Sequence, residues 1–179
     1  LLAKCLMKLK LSTLDQALTS VKKYKNIIVG FSGGIDSTVL LYGVCLLARK
    51  GLLRSNIKAI HVNHGLNDSC EEWESFCRRI CSAYNVDLQV KNLEGLSKGS
   101  NLYGEGFLRT ARYREFESAL DQDSVLLLAH HKDDQIETLL LRLNRGAGMR
   151  GLSGIPERRS LGEGSIYRPL LNFDRNSIG

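Results

Sequence analysis

Along this chain, apolar positions fall into two alternating kinds of pattern. Short runs rich in Ile, Val and Leu occur at IIVGF (27–31), IKAIHV (57–62), VDLQV (86–90) and SVLLLAH (124–130), and these read as strands. Between them lie segments of helical length. STVLLYGVCLLARK (37–50) ends at Gly51, a signal for a helix C-terminus. SCEEWESFCRRICSAY (69–84) opens with Ser69 and Glu72 in a capping box and closes at Asn85. EGFLRTARYREFESAL (105–120) and DDQIETLLLRLNR (133–145) complete the set. Ahead of the first strand, Leu14, Ala17, Leu18, Val21 and Tyr24 recur at helical spacing, with Ser12 or Thr13 placed to cap the start.

Strands that alternate with helices predict an α/β fold: a Rossmann-like, doubly wound, parallel five-stranded sheet with helices on both faces. The runs at 27–31 and 124–130 are nearly all apolar, as central strands are. After Leu143 the pattern changes to glycines, Pro156, Pro169 and many arginines, which reads as loop or short irregular structure on the rim. The expected organisation is one domain over 1–179. It comprises an N-terminal helix (1–25), a nucleotide-binding core (26–143) and a Gly/Arg-rich rim (144–179). A chain that starts at Leu and stops at SIG suggests a truncated one.

Composition narrows the class only a little. A chain of 179 residues can bury a sizeable core, and a net charge of +6 is compatible with a polyanionic partner without requiring one. Five cysteines, Cys5, Cys45, Cys70, Cys77 and Cys81, are odd in number and form no CxxC pair, so they read as reduced thiols of a cytoplasmic protein. No apolar run approaches a membrane span, so no membrane partner is expected.

The chemistry concentrates at FSGGIDS (31–37), where a strand turns into a helix. Phe31, Ser32, Gly33, Gly34, Ile35, Asp36 and Ser37 present free backbone N–H groups at one point, and the glycines allow positive φ and close approach by an anion. Ser32 and Ser37 add hydroxyl donors. The pattern describes a phosphate or pyrophosphate cradle, yet neither GxxxxGK[ST] nor GxGxxG is present. A carboxylate in such a cradle repels its ligand, so Asp36 either binds a Mg²⁺ that bridges phosphates or caps the helix dipole.

SGGIDS resembles the signature of the PP-loop ATP pyrophosphatases, which split ATP between its α- and β-phosphates to adenylate an oxygen. With HVNHGLNDSCEEWESFC (61–77), EGFLRTARYREFE (105–117), AHHKDDQIETLLLRLNRGAGMRGLSGI (129–155) and IYRPLL (166–171), the order and spacing resemble the tRNA(Ile)-lysidine synthases within that superfamily, over about residues 26–173. The resemblance implies a ligase that adenylates the C2 oxygen of the wobble cytidine in the CAU anticodon of tRNA(Ile). The ε-amine of free L-lysine then displaces AMP. ATP and Mg²⁺ are the implied cofactors; tRNA(Ile) and lysine are the implied partners, and a homodimer is open. The rivals are a PP-loop tRNA thiolase, which needs paired cysteines or an iron–sulfur site, and a nucleotide-binding module without catalysis.

The remaining motifs are read beside that resemblance. His131, Asp134 and Glu137 are three residues apart and predict one helix face; Asp133 and Asp134 either cap the helix or serve the chemistry. Asp134 and Glu137 would supply carboxylates for Mg²⁺ or for the lysine ammonium, with Asp36 and Asp134 as the metal ligands. The resemblance places His131 and Asp134 in the nucleotide and cytosine site, and gives Arg112 the charge that develops on the α-phosphate. Arg109, Arg112 and Glu105 predict one stripe. HVNHGL is either a structural turn or, by resemblance, adenine-binding backbone at Val62 and Asn63, with His64 at the same mouth. His130 is expected to pack against the sheet. In RLNRGAGMRGLSG (142–154), Arg142, Arg145 and Arg150 are either solvated or pair with RNA phosphates, and contact with an anticodon loop is expected. No cysteine pair or third ligand stands at zinc spacing.

Overall fold

The structure is a computed structural model that describes residues 8–65, 70–93, 104–146, 148 and 153–178, with Glu105 by its backbone alone. Helix α1 (Leu11–Ala17) and a short 3-10 turn (Thr19–Val21) precede the first strand. The order is then β1 (Asn26–Gly30), α2 (Ile35–Arg49), β2 (Asn56–Asn63), α3 (Cys70–Tyr84), β3 (Asp87–Asn92) and α4 (Glu105–Ser118). β4 (Ser124–Leu127), α5 (Lys132–Asn144), β5 (Arg158–Leu161), β6 (Gly164–Tyr167) and α6 (Arg175–Ile178) follow. The strands lie in the order β3-β2-β1-β4-β6-β5, all parallel except the β5–β6 pair.

Alternation along the central strands builds two apolar layers, because successive side chains point to opposite faces. Ile27, Val29, Val125 and Leu127 face the layer filled by Leu14 of α1 and Leu18 just beyond it, Leu40, Leu41, Val44 and Leu47 of α2, and Cys77 and Cys81 of α3. Ile28, Ile60, Leu126 and Ile166 face the other layer, covered by Phe116 of α4 and by Leu120. Helix α2 reads as apolar almost all round because it is buried almost all round. It stops where expected, with Gly51 in the left-handed region beyond it.

Two local expectations differ. Helix α1 is capped at Lys10 without a side-chain bond, not at Ser12 or Thr13, and its helical turns end before Tyr24. The sheet has six strands rather than five. The rim that reads as irregular supplies a parallel strand, β6, and an antiparallel edge strand, β5. Each of these is four residues long and carries Gly, Ser or Arg, too short and too polar to show a period of two. Pairing, rather than patterning, places Ile166 and Tyr167 in the core, and the chain just beyond buries Leu170 and Leu171. Residue Ser69 of the capping box lies outside the described residues.

β6 begins at the buried Gly164, where an added Cβ would stand 2.9 Å from the Asp121 carbonyl oxygen and 2.9 Å from Leu120 Cβ. Neither neighbour is the flexible end of a side chain, so the strand itself must move. Gly164→Ala is expected to cost about 1–3 kcal/mol, the usual range for overpacking, read as a lower urea midpoint. An unchanged midpoint would show that β6 is loosely seated.

Candidate active site

The chain runs outward from β1 to β3, then returns to lay β4 on the other side of β1. Strand order reverses between β1 and β4, and open α/β sheets bind ligands beyond the carboxyl ends of the strands at such a point. Beyond β1 lies a cleft of about 370 Å³ lined in part by Phe31, Ser32, Gly34, Val62, Asn63 and Arg112.

The glycine-rich loop owes its shape to two different glycine properties. Gly33 has φ +83°, and a Cβ on it would press 3.1 Å from Cys77 Sγ and Trp73 Cε3 of α3. Gly34 is extended at φ −68° and caps α2, leaving the first N–H groups of that helix free of a side-chain cap. Its own carbonyl accepts the Ser37 and Thr38 hydroxyls at 3.0 and 2.8 Å. With the Ser37 proton so committed, Ser32 Oγ, 3.1 Å from Ser37 Oγ, is the donor of that pair. Ser32 itself is exposed, so its proton can pass to an anion in the loop. The loop therefore holds backbone and hydroxyl donors ready for phosphate.

The opposite wall of the cleft comes from β2. The Ile60 carbonyl accepts the Phe31 N–H at 2.8 Å, whereas the Asn63 carbonyl accepts Leu93 N–H at 3.0 Å. Val62 is in phase with Ile60, so its backbone groups face the side that β1 has vacated. The Asn63 amide is spent on Glu74 and on Gly65 N–H. His61 Nδ1 lies 2.8 Å from the Phe31 carbonyl oxygen; a carbonyl can only accept, so that nitrogen carries the proton. His64 also lines the cleft, and its buried Nδ1 has no hydrogen-bond partner. Burial, then Arg112 and His61, hold its pKa below the usual histidine value, so the ring is neutral.

Across the switch point, Asp36 Oδ2 stands 3.7 Å from His131 Nε2, and His131 Nδ1 stands 3.4 Å from Asp134 Oδ2. The same Asp134 oxygen accepts the His131 backbone N–H at 2.7 Å. His131 is buried at the N-cap of α5, so it bridges two carboxylates carried by different strand ends. Asp36 Oδ1 is buried and has no hydrogen-bond donor. Among the described residues no three His, Cys, Asp or Glu side chains cluster as a metal cage. One or two carboxylates with phosphate oxygens suffice for Mg²⁺, however, and the orphaned Asp36 oxygen fits that demand.

Other expected site residues fall elsewhere. Gly33, Ile35, Asp36 and Ser37 shape the loop without lining the cleft. Glu137 is exposed and lines a shallow depression with Asp133, Ile136 and Leu140, which His131 and Asp134 do not line. Arg112 enters the cleft, whereas Arg109 lies over the Tyr113 ring. Arg142 donates to the Ser153 carbonyl, Arg145 is exposed, and Arg150 lies outside the described residues. His130 is half-buried and its Nδ1 accepts from Arg168 Nε at 3.2 Å. Trp73 and Cys70 line the cleft and were not anticipated; their spacing with Cys77 on one face of α3 was the available signal.

The sheet, the switch point and the anion-binding turn define a nucleotide-binding α/β domain. The chain belongs to the PP-loop domain family, whose model matches residues 7–179. It is 46% identical over 150 residues to a tRNA(Ile)-lysidine synthase of Pseudomonas fluorescens, covering 84% of this chain and 33% of that protein. Likeness to the tRNA(Ile)-lysidine synthase of Pseudomonas aeruginosa is 44% over 167 residues, or 93% of this chain and 37% of that protein. The chain thus spans about a third of the length of these curated relatives. Among solved structures, the U34-tRNA thiolase NcsA from Methanococcus maripaludis superposes with a TM-score of 0.71 over 94% of this chain and 60% of that one. At 18% identity this likeness is one of fold. No helix among the described residues is long and apolar enough to cross a membrane.

Behind the site, burial and then the Arg168 guanidinium push the His130 pKa down to about 4. An unfolded histidine titrates near 6.5, so between about 6.5 and 4 the unfolded chain binds the proton and the folded chain does not. His130 therefore adds stability above about pH 6.5 that is lost as pH falls towards 4. Urea midpoints measured across that window should drop for the wild type and drop less for His130→Asn. Parallel profiles would show that His130 takes up its proton in the fold.

Proposed function

We propose that the protein is a tRNA(Ile)-lysidine synthase. It adenylates the C2 oxygen of the wobble cytidine of a CAU anticodon and joins the ε-amine of free L-lysine to that carbon. The observation that carries this reading is the meeting of Asp36, on the glycine-rich loop, with His131 and Asp134 beyond β4, beside a cleft that Arg112 enters. Chain identity with the lysidine synthases supports it.

In this mechanism the loop from Ser32 to Ser37 takes the phosphates of ATP, and the backbone at Val62 meets adenine. Mg²⁺, held by Asp36 with Asp134 as its second carboxylate, offsets the phosphate charge when bound. Arg112 stabilises the charge that grows on the α-phosphate as the cytosine oxygen attacks and pyrophosphate leaves. Lysine arrives as an ammonium and must lose a proton before its nitrogen attacks C2 and AMP departs with the oxygen. Asp134, held against His131, is assigned that proton ahead of Glu137. Arg142, Arg145 and Arg150 are assigned to the anticodon loop. A cytoplasmic location and a homodimer accompany the reading.

AMP release from ATP that requires both lysine and tRNA(Ile) is the expected result, because pyrophosphate already leaves at adenylation and AMP leaves only when the amine attacks. Release without lysine would remove the ligation step, and no release at all would leave a binding module. Asp36→Ala should abolish release while far-UV circular dichroism stays native, because the side chain belongs to neither apolar layer. Full turnover in that variant would withdraw the assignment.

Asp134→Asn should lower turnover at least about a hundredfold, the lower end for a lost general base. Wild-type turnover with only a lower melting temperature would show that Asp134 does no more than cap α5.

A further inference from the structure

Next to the nucleotide cleft lies a second cavity of about 420 Å³ between α4, α5 and the β5–β6 pair. Arg109, Arg142, Arg145, Arg159 and Arg168 line it, and none of the described lining residues is an aspartate or glutamate. Three of the five converge on one ring. The Arg159 guanidinium lies 4.5 Å from the Tyr113 centroid and that of Arg109 5.4 Å from it, while Arg168 Nη2 donates to the Tyr113 hydroxyl at 3.2 Å.

Arg168 is only 2% exposed, yet its bonds reach uncharged groups: His130 Nδ1, the Pro156 carbonyl and the Tyr113 hydroxyl. Burial depresses its pKa, and the nearby Arg159 and Arg109 depress it further. None of the ion pairs among the described residues involves Arg109, Arg159 or Arg168. Like charges gathered over a partly buried floor repel one another and are costly to desolvate. An anion offsets that cost.

The walls are already set for a ligand. The Gln135 amide exchanges two hydrogen bonds with the Ile155 backbone at 2.7 and 2.6 Å, pinning the loop before β5 to α5. Arg142 is tied to Ser153 in the same loop. The exposed forks of Arg109 and Arg159 suit the paired oxygens of a phosphate group.

We propose that this arginine cup holds one phosphodiester of the RNA substrate and so sets where the target nucleotide meets the nucleotide cleft. The proposal rests on the RNA-modifying reading above. The cup shares no lining residue with the nucleotide cleft, whose phosphates already have the glycine-rich loop. It also opens three residues before Arg112 on α4, one helical turn away. A strand gripped at the cup is thereby anchored one turn from the reacting centre.

The test is binding of a CAU anticodon stem-loop RNA over a salt series, with ATP affinity and thermal unfolding measured on the same proteins. A single-stranded phosphate contact contributes about 0.7 to the salt slope. Arg109→Ala/Arg159→Ala should lower the slope by about 0.7 and weaken binding roughly tenfold, since both residues serve one phosphate. The thermal midpoint should not move, because both guanidinium groups are exposed. Arg159→Lys should keep the slope and bind more weakly, a point charge replacing a fork. A wild-type slope in the double variant overturns the proposal while the lysidine reading stands. An unchanged slope with weaker binding of ATP, or of inorganic phosphate, assigns the cup to a nucleotide or a free anion and also overturns it. If the wild-type protein shows no salt-dependent RNA binding, the proposal falls together with the reading on which it rests.

Discussion

At Gly33 the backbone turns with φ +83° while α3 presses so closely that a single added carbon would touch both Cys77 and Trp73. Those two demands, a left-handed turn and contact with a neighbouring helix, leave glycine as the residue that fits. The turn lifts the chain out of the sheet after Phe31, which frees the edge of β2 beyond Ile60 and aims the start of α2 at the opening. It also sends Asp36 sideways, over the end of β4, to within 3.7 Å of His131. Cleft, phosphate donors and carboxylate pair all follow from this one close approach.

Charge is sorted on either side of that turn. Towards α5, an imidazole stands between two carboxylates, and an orphaned carboxylate oxygen faces inward. Towards β5 and β6, guanidinium groups gather on Tyr113. His130 and His131 are adjacent in sequence yet belong to opposite sides, one held neutral by burial and then by Arg168, the other enclosed by Asp36 and Asp134. The boundary between the carboxylate side and the guanidinium side therefore runs through a single peptide bond after β4.

Legibility in the sequence followed the size of the local signal. β1, β2, β4 and α2 were readable because burial on both sides makes their runs continuously apolar. The Ser–Gly–Gly–x–Asp–Ser turn was readable because its residue types are costly anywhere else. β5 and β6 were not, since strands of only four residues, each at least half made of Arg, Ser or Gly, are too short to show a period of two. The spacing of His131, Asp134 and Glu137 misled in part. It assumes a helix through all three, whereas His131 is the cap and Asp134 folds back to bond its N–H, while Glu137 is exposed and lines the other depression. Trp73 has no distinctive sequence signal, because a lone tryptophan on an amphipathic helix fits a core as well as a cleft, and here it is 51% exposed at the cleft.

Helix α5 ties these regions together while burying none of its own residues. Its first turn holds Asp134 against His131, and Gln135 clasps the loop that leads to β5. Its last turn carries Arg142 to the same loop and reaches Arg145 at the arginine cup. A helix with little apolar anchorage is positioned by its polar bonds, chiefly those of Asp134, Gln135 and Arg142. The backbone bond from Lys132 N–H to the Phe173 carbonyl adds a tie to the chain beyond β6. The His131–Asp134 pair and the arginine cup are thus held by opposite ends of one helix, whose place depends on those few polar bonds.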